Sequence, residues 1–434
     1  MNAGDAARTW YATTAKLPAG TPAAFAGAVR GDTEADVCVI GGGIAGCSAA
    51  LHLAEKGYRV RLLEAHEIGF GASGRSGAQT IFGVACGQEK LTKLIGASDA
   101  RCVWDVSVEA LALQRALIAR HGIDCDYVAG QMHVAIKPRQ ENELRAEVAM
   151  LQDQYGYRSV RYVERNELRT LIDSDRYTGA MLDSNSGHLH PLNYTLGLAT
   201  AAARAGATIH TQSAAVSIAA GDAAGLVQVR TAQGSVRCRQ AVLCCNAYVG
   251  NLAPQLSSRI MAVGTYIVAS EVLGAQRAAS LIANNAAVTD INWVLDYFRR
   301  SSDHRLLFGG RVSYSGLDPL GTGAATRARM IKVFPQLRDI KIDFAWGGYV
   351  DITLNRAPDF GRLSPNVYYL QGFSGHGMAL TGIAGKLVAE AMAGTAERFD
   401  VFARIPHHGF PGGRALRRPA LVLAMLWYRL RDLL

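Results

Sequence analysis

The sequence predicts an α/β protein of two domains, one on a parallel sheet and one an α+β unit built on an antiparallel sheet. Three observations predict it. First, the apolar run Val37-Cys38-Val39-Ile40 stops at Gly41-Gly42-Gly43-Ile44-Ala45-Gly46. Small and apolar residues at helical spacing follow (Ala49, Ala50, Leu53, Ala54), then a short strand over 59–63 that ends on Glu64. Second, a helix over 192–205, a strand over 208–212 and the buried run 241–245 read as further strands of that parallel sheet. Third, 263–272, 293–299 and 305–311 read as strands, the last two joined by the turn Ser301-Ser302-Asp303-His304, and look like a separate antiparallel sheet. At 434 residues the chain exceeds one typical domain.

The glycine run is a G-x-G-x-x-G placed between a strand and a helix, the Rossmann dinucleotide-binding pattern. Gly41 turns the chain out of the strand, and Gly43 removes a Cβ so that backbone can approach a pyrophosphate. Gly46 lets the helix lie close to the sheet. The helix then offers free N–H groups and a positive dipole end to phosphates. Glu64 lies 18 residues past Gly46, near the ~20 expected of the acid that grips a ribose diol. An acid there disfavours NADP, whose extra phosphate it would repel.

Residues 1–34 read as a polar surface arm anchored by Trp10-Tyr11. The loop 69–79 holds four glycines and two serines, too many for a core element and suited to wrapping a flat or charged ligand. From 91 to 171 the pattern is mainly helical, as over 108–119 and 141–154, with a strand over 130–136. A turn over 187–191 precedes the helix over 192–205, and a hairpin over 227–237 leads into the buried run 241–245. A helix over 325–333 follows the antiparallel strands. Last come a strand over 367–370, the run Gly372-Phe373-Ser374-Gly375-His376-Gly377 and a helix to about 393. That second strand–glycine–helix unit aims another helix N-terminus at a ligand. Reduced flavin carries negative charge that a helix dipole stabilises, whereas a nicotinamide offers no such anion. Two separated elements of this kind favour FAD over NAD.

Apolar content of 49% and charged content of 19% describe a globular chain with ample core. The 8 cysteines form no C-x-x-C pair and suggest reduced thiols of a cytoplasmic protein; no metal-ligand spacing is present. No signal pattern or uncharged apolar run of membrane-spanning length occurs. The net charge of +9 is spread along the chain without a dense run, which argues against nucleic acid. Only the tail is locally basic, with Arg404, Arg414, Arg417, Arg418, Arg429 and Arg431. Arginines interrupting an apolar stripe over 416–434 suit a weak peripheral membrane contact.

With these residues in view, the chain resembles the D-amino acid oxidase family of FAD-dependent amine oxidases, which includes glycine and sarcosine oxidases. The carriers are the glycine fingerprint, Glu64, the loop Gly71-Ala72-Ser73-Gly74-Arg75, the pattern Trp346-Gly347-Gly348…Thr353…Pro358…Gly361, and the run 372–377. Within the family, the phrases VRGDTEADVCVIGGG, DYFRRSSDHRLLFGGR and LVLAMLWYRLRDLL resemble gamma-glutamylputrescine oxidases. The resemblance implies a discontinuous FAD-binding domain (1–95, 186–255 and 346–434) and a substrate domain (96–185 and 256–345). It implies cofactor contacts from Gly41, Gly43, Ile44, Ala45, Gly46, Glu64, Ala72, Ser73, Arg75, Ser76, Gln79, Gly348, Gly372, Ser374, Gly375, His376 and Gly377.

Three departures from the family pattern carry information. The family's amino-acid oxidases place an arginine in a Gly-x-Arg-Pro stretch to clamp the substrate carboxylate, and alignment puts Val350 there. An amine is therefore a better substrate than an α-amino acid. Relatives with a covalent flavin carry a cysteine shortly before a Pro-Asp pair; here Ile352 precedes Pro358-Asp359, so FAD should be non-covalent. Ser76 and Ala78 stand where asparagine and glycine are usual. The implied reaction is hydride transfer from an amine-bearing carbon to flavin, hydrolysis of the imine to aldehyde and ammonia, and reoxidation by O2 to hydrogen peroxide. His376 is the candidate for stabilising reduced flavin, Tyr297 for orienting the amine, and Arg311 for meeting a distant carboxylate. His188 and His190 flank the Pro191 turn and fit a structural role. The alternatives are a peripheral membrane dehydrogenase feeding quinone, a glycine- or sarcosine-type amino-acid oxidase, and a flavoprotein associated with nucleic acid.

Overall fold

The computed structural model describes residues 9–18, 25–219, 225–313 and 322–411. The first sheet has eight strands. Strand Gly31–Ile40 lies at its centre, parallel to Gly234–Leu243 on one side and Val60–Leu63 on the other. Thr208–His210 extends one edge in parallel, and Val367–Gln371 extends the other. Helices Ile44–Glu55, Gly377–Met392, Ala97–His121 and Pro191–Arg204 cover one face. The first two are in backbone contact: a Cβ on Gly385 would sit 2.6 Å from the Ala49 nitrogen, and Ser48 Oγ donates to Gly382 O at 2.6 Å. Gly385 has no side chain because the helices leave no room for one. Both glycine-rich turns therefore open at the same end of the parallel sheet, where α/β proteins bind ligands.

The second sheet has nine strands and is antiparallel except where Ala287–Asp290 runs parallel to Val128–Ala135. Strands Ile342–Thr353, Ile260–Ser270, Leu306–Ser313 and Tyr297–Arg300 form one half. Phe298, Phe308 and Phe334 pack beneath them, the first two rings stacked 5.6 Å apart. At the far edge Gln79–Thr80 pairs with Gly179–His188. The glycine-rich loop 69–79 thus leaves the first sheet and ends as an edge strand of the second, which ties the two sheets together.

Three sequence expectations change. The hairpin over 227–237 is present, with Val227–Arg230 antiparallel to Gly234–Leu243, but its second strand runs on into the buried run as one ten-residue strand paired along its length with Gly31–Ile40. Strand Val160–Glu164 occupies a stretch read as helical, and strand Gly179–His188 fills a stretch to which the sequence assigned no element before the turn over 187–191. The alternation of Gly179–His188 is hidden because Asp183, which faces inward, is polar. Its carboxylate accepts from the Tyr157 hydroxyl and the Asn185 and Ser186 amides, so a buried acid replaces an apolar residue. Finally, the N-terminal arm is not merely superficial. Trp10 and Tyr11 are buried in the short helix Trp10–Thr13, in one cluster with Ala78, Ile267, Leu307 and Trp346. All eight cysteines are free thiols. Among the described residues no helix is long and apolar enough to cross a membrane. The basic tail over 416–434 lies outside the described residues.

Candidate active site

The first glycine turn follows its sequence logic. Gly41 has φ +113°, and a Cβ there would meet Cys244 O at 2.5 Å. On Gly46 a Cβ would sit 1.9 Å from Gly41 O. Gly43 differs: its φ is −83°, and its missing Cβ would meet only the Ser73 hydroxyl, at 2.8 Å. What a Cβ would displace there is one side-chain hydroxyl and no backbone. Helix Ile44–Glu55 starts at Gly43 without a side-chain cap; Ile44 N donates to Ser73 Oγ at 3.0 Å. The amides of Ala45 and Gly46 have no intrahelical acceptor and point toward the turn. Glu64 accepts from Gly42 N at 2.7 Å and from His66 N at 2.8 Å. Burial pushes its carboxyl above the usual range against these two donors. Each oxygen keeps lone pairs for a ribose hydroxyl.

The second element is the loop 69–79. Four consecutive carbonyls, from Arg75 to Ala78, are held from the protein side. Trp346 Nε1 donates to Arg75 O at 3.0 Å, and the Tyr11 hydroxyl to Ser76 O at 2.9 Å. Arg299 Nε donates to Gly77 O at 3.3 Å, and Leu189 N to Ala78 O at 3.2 Å. Ala72, Ser73 and Gly74 form a 3₁₀ turn. Arg75 extends Nε to Phe70 O and Nη1 to Gly347 O, next to Gly348, whose missing Cβ would meet the Arg75 side chain at 3.4 Å. Ser76 Oγ reaches Met378 Sδ at 3.3 Å, which brings the loop against the second helix start. Ala78 adopts φ +63°, a left-handed conformation that explains why glycine suits this position. Gln79 turns its amide to the other sheet, bonding Val288 O and the Thr289 hydroxyl.

The third element is the turn 372–377. Gly372, Ser374 and Gly375 all have positive φ. Asp351, near the C-terminal end of strand Ile342–Thr353, holds the turn: Gly372 N donates to its carboxylate, and Ser374 N donates to its backbone carbonyl at 3.0 Å. Burial raises the Asp351 carboxyl to about 7, against the turn's amide donors. This residue was missed from sequence, although an acid inside an apolar strand is a usable signal. His376 sits at the start of helix Gly377–Met392 and makes no capping bond. Its Nδ1 is buried with no hydrogen-bond partner among the described residues. Burial, then the charges of Arg356 and His133, push its pKa down to about 3, so the ring is neutral.

Tyr297 stands on the second sheet with its ring against Gly77 and Gly309; a Cβ on either would come within 2.5 Å of it. Burial raises its hydroxyl pKa, with the Thr265 hydroxyl bonded to it in opposition. Arg311 pairs through its backbone with Tyr266 in strand Leu306–Ser313; its side chain lies outside the described residues. Val350 is half-buried and shares a strand face with Trp346 and Gly348, the face turned to the loop 69–79. Contacts thus link the first helix start to Ser73, Ser76 to Met378 in the second helix, Gly348 to Arg75 and Tyr297 to Gly77, so the loop 69–79 joins these elements.

A family model described as FAD dependent oxidoreductase, DAO, matches residues 36–391. The chain belongs to this family. The DAO chain is 43% identical over 398 residues to the gamma-glutamylputrescine oxidoreductase of Escherichia coli strain K12, covering 92% of each. It is 41% identical over 403 residues to a probable oxidoreductase of Haemophilus influenzae, again covering 92% of each. Among solved structures it is similar to glycine oxidase from Geobacillus kaustophilus, with a TM-score of 0.72 and 20% identity. That likeness covers 87% of this chain and 100% of the other, and it establishes the fold. The DAO protein is therefore an FAD-dependent oxidoreductase. Its residues fit the cofactor: there are two helix N-termini without side-chain caps, a glycine at position 43 where a Cβ would meet only a side-chain hydroxyl, and an orphaned buried nitrogen on His376.

Proposed function

We propose that this chain is an oxidase that oxidatively deaminates a primary amine of the gamma-glutamylputrescine type to an aldehyde, with O2 reduced to hydrogen peroxide. The observation that carries the substrate class is Val350. A valine on the loop-facing side of its strand offers nothing to an α-carboxylate, and burying such a carboxylate unpaired costs several kcal/mol. The 43% identity to a gamma-glutamylputrescine oxidoreductase supports the same reading. FAD, held without a covalent bond, supplies hydride acceptance and reoxidation by O2.

The chain's residues supply position and field. Ala45, Gly46 and Ser73 bind the pyrophosphate, and Glu64 the ribose. The helix N-terminus at His376–Gly377 would stabilise the negative charge of a reduced flavin held beside it. Neutral His376 contributes a hydrogen bond there, not a second cation. Tyr297, Gly77 and the second sheet exclude water from one side of the flavin, and the Tyr297 hydroxyl orients the amine. The amine must be uncharged to release hydride, and the resulting imine is hydrolysed to aldehyde and ammonia. Arg311 meets the distant carboxylate.

The test is anaerobic bleaching of the yellow protein by gamma-glutamylputrescine, putrescine, glycine, sarcosine and D-amino acids, followed by peroxide yield in air. Fastest bleaching by the gamma-glutamyl amine with stoichiometric peroxide is expected. Faster bleaching by any amino acid sinks the substrate reading; bleaching without peroxide sinks the oxidase reading.

A further inference from the structure

Arg299 is a buried cation whose hydrogen-bond partners among the described residues include no carboxylate. It lies on strand Tyr297–Arg300 and is 4% exposed. Its guanidinium donates to Gly77 O at 3.3 Å, to Arg300 O at 3.2 Å and to the Tyr11 hydroxyl at 3.0 Å. Its Nη1 also lies 3.4 Å from His188 Nδ1. His188 Nε2 faces Asn285 O at 2.8 Å and so carries the ring proton, which leaves Nδ1 as an acceptor. Every partner is neutral. Of the carboxylates that the N-terminal segment reaches, Asp303 is bonded to Trp10 and paired with Arg305, and Asp124 and Asp126 pair with Lys16. Burying a cation without an anion costs several kcal/mol. A fold bears that cost where an anion arises during function.

The cation's position identifies that anion. Arg299 holds Gly77 O directly and Ser76 O through the Tyr11 hydroxyl. Both carbonyls belong to the loop 69–79, which joins the elements of the cofactor site. Reduction of FAD by two electrons and one proton adds one negative charge to its ring. We propose that Arg299, seated by Tyr11 and His188, is a positioning residue whose fixed charge favours the reduced form of bound FAD. The N-terminal segment is then part of the redox site. The inference rests on the flavin and not on the substrate, so it stands or falls separately from the amine reading.

The test compares Arg299→Lys, which keeps the charge, with Arg299→Gln, which removes it, each isolated as full-length flavoprotein. The reduced-to-oxidised ratio of bound FAD is measured in equilibrium with a reference dye. Loss of the charge should lower that ratio about tenfold, equivalent to about 30 mV for a two-electron couple. Arg299→Lys should stay within about threefold of the parent. Equal ratios in the two variants overturn the proposal. A flavoprotein recovered with lysine but not with glutamine supports it. If neither binds FAD, Tyr11→Phe decides: it keeps the ring and removes the hydroxyl that ties the guanidinium to Ser76 O. A ratio lowered twofold or more then supports the proposal, and an unchanged ratio overturns it.

Discussion

Two glycines three residues apart should fail in different ways when replaced by alanine. At Gly46 the new Cβ would lie 1.9 Å from Gly41 O and 3.3 Å from Val39 Cγ1. An ordinary contact needs about 3.4 Å or more, so helix Ile44–Glu55 would have to retreat by roughly 1.5 Å. It has nowhere to go. Behind it lies helix Gly377–Met392, whose Gly385 already leaves no room for a Cβ against Ala49 N. Overpacking against backbone on both sides belongs at the top of the usual range, about 3 kcal/mol. At Gly43 the backbone is extended, φ −83° and ψ −176°, which alanine accepts. The new methyl meets only the Ser73 hydroxyl. The most it disturbs is the bond from Ile44 N to Ser73 Oγ, worth about 0.5–1.5 kcal/mol. Thermal unfolding of the two apoproteins should therefore separate them: in a chain of 434 residues Gly46→Ala loses about 3 °C, and Gly43→Ala no more than about 1.5 °C. FAD titrated into each apoprotein should show Gly43→Ala weakened more than tenfold, since its methyl occupies the phosphate cradle. A stable Gly46→Ala apoprotein, or Gly43→Ala with undiminished FAD affinity, would refute the reasoning.

Acid precipitation of the purified protein should leave all yellow colour in the supernatant, because Ile352 stands where covalent relatives carry cysteine; a coloured pellet contradicts this. Arg311→Ala should raise KM for a gamma-glutamyl amine about tenfold or more with little change in kcat, and loss of FAD instead would remove Arg311 from the substrate site. Stability should fall as pH drops below about 6.5, because burial, then the charge of Arg299, hold His188 and His190 near a pKa of about 3. Between those values the unfolded chain binds protons that the folded chain refuses, so stability is full above 6.5 and lost toward 3, by up to about 1.4 kcal/mol per group per pH unit. Urea midpoints at pH 7.5 and 5.5 check the sign, and an unchanged midpoint would mean that these rings are not buried neutral.

What the sequence reveals depends on the range of the interactions. The first turn is legible because its partners are close in the chain: Glu64 bonds Gly42, 22 residues away, and Gly46 packs on Gly41. The strands of the parallel sheet are legible because buried β-branched runs report their own environment; their order, with Gly31–Ile40 beside Gly234–Leu243, is set by contacts far apart in the chain. Tyr11 is different. It meets Ser76 at a separation of 65 residues and Arg299 at 288, and nothing local distinguishes it from an exposed aromatic on a polar arm. Gly179–His188 was obscured by a buried acid satisfied from three donors, which breaks the apolar alternation that reveals a strand.

The loop 69–79 combines both cases. Its composition reads as permissive: glycines and serines specify no single conformation, and chain entropy opposes ordering them. Yet four carbonyls in a row are held by donors from the N-terminal helix, from strands Tyr297–Arg300 and Ile342–Thr353, and from Leu189. Each such bond contributes about 1 kcal/mol, enough together to offset the ~1 kcal/mol that a left-handed Ala78 costs and much of the ordering entropy. The glycines allow the shape and the distant donors select it. A substitution at Tyr11, Arg299 or Trp346 therefore acts on the cofactor site without touching it, and no reading of the loop alone could place those residues there.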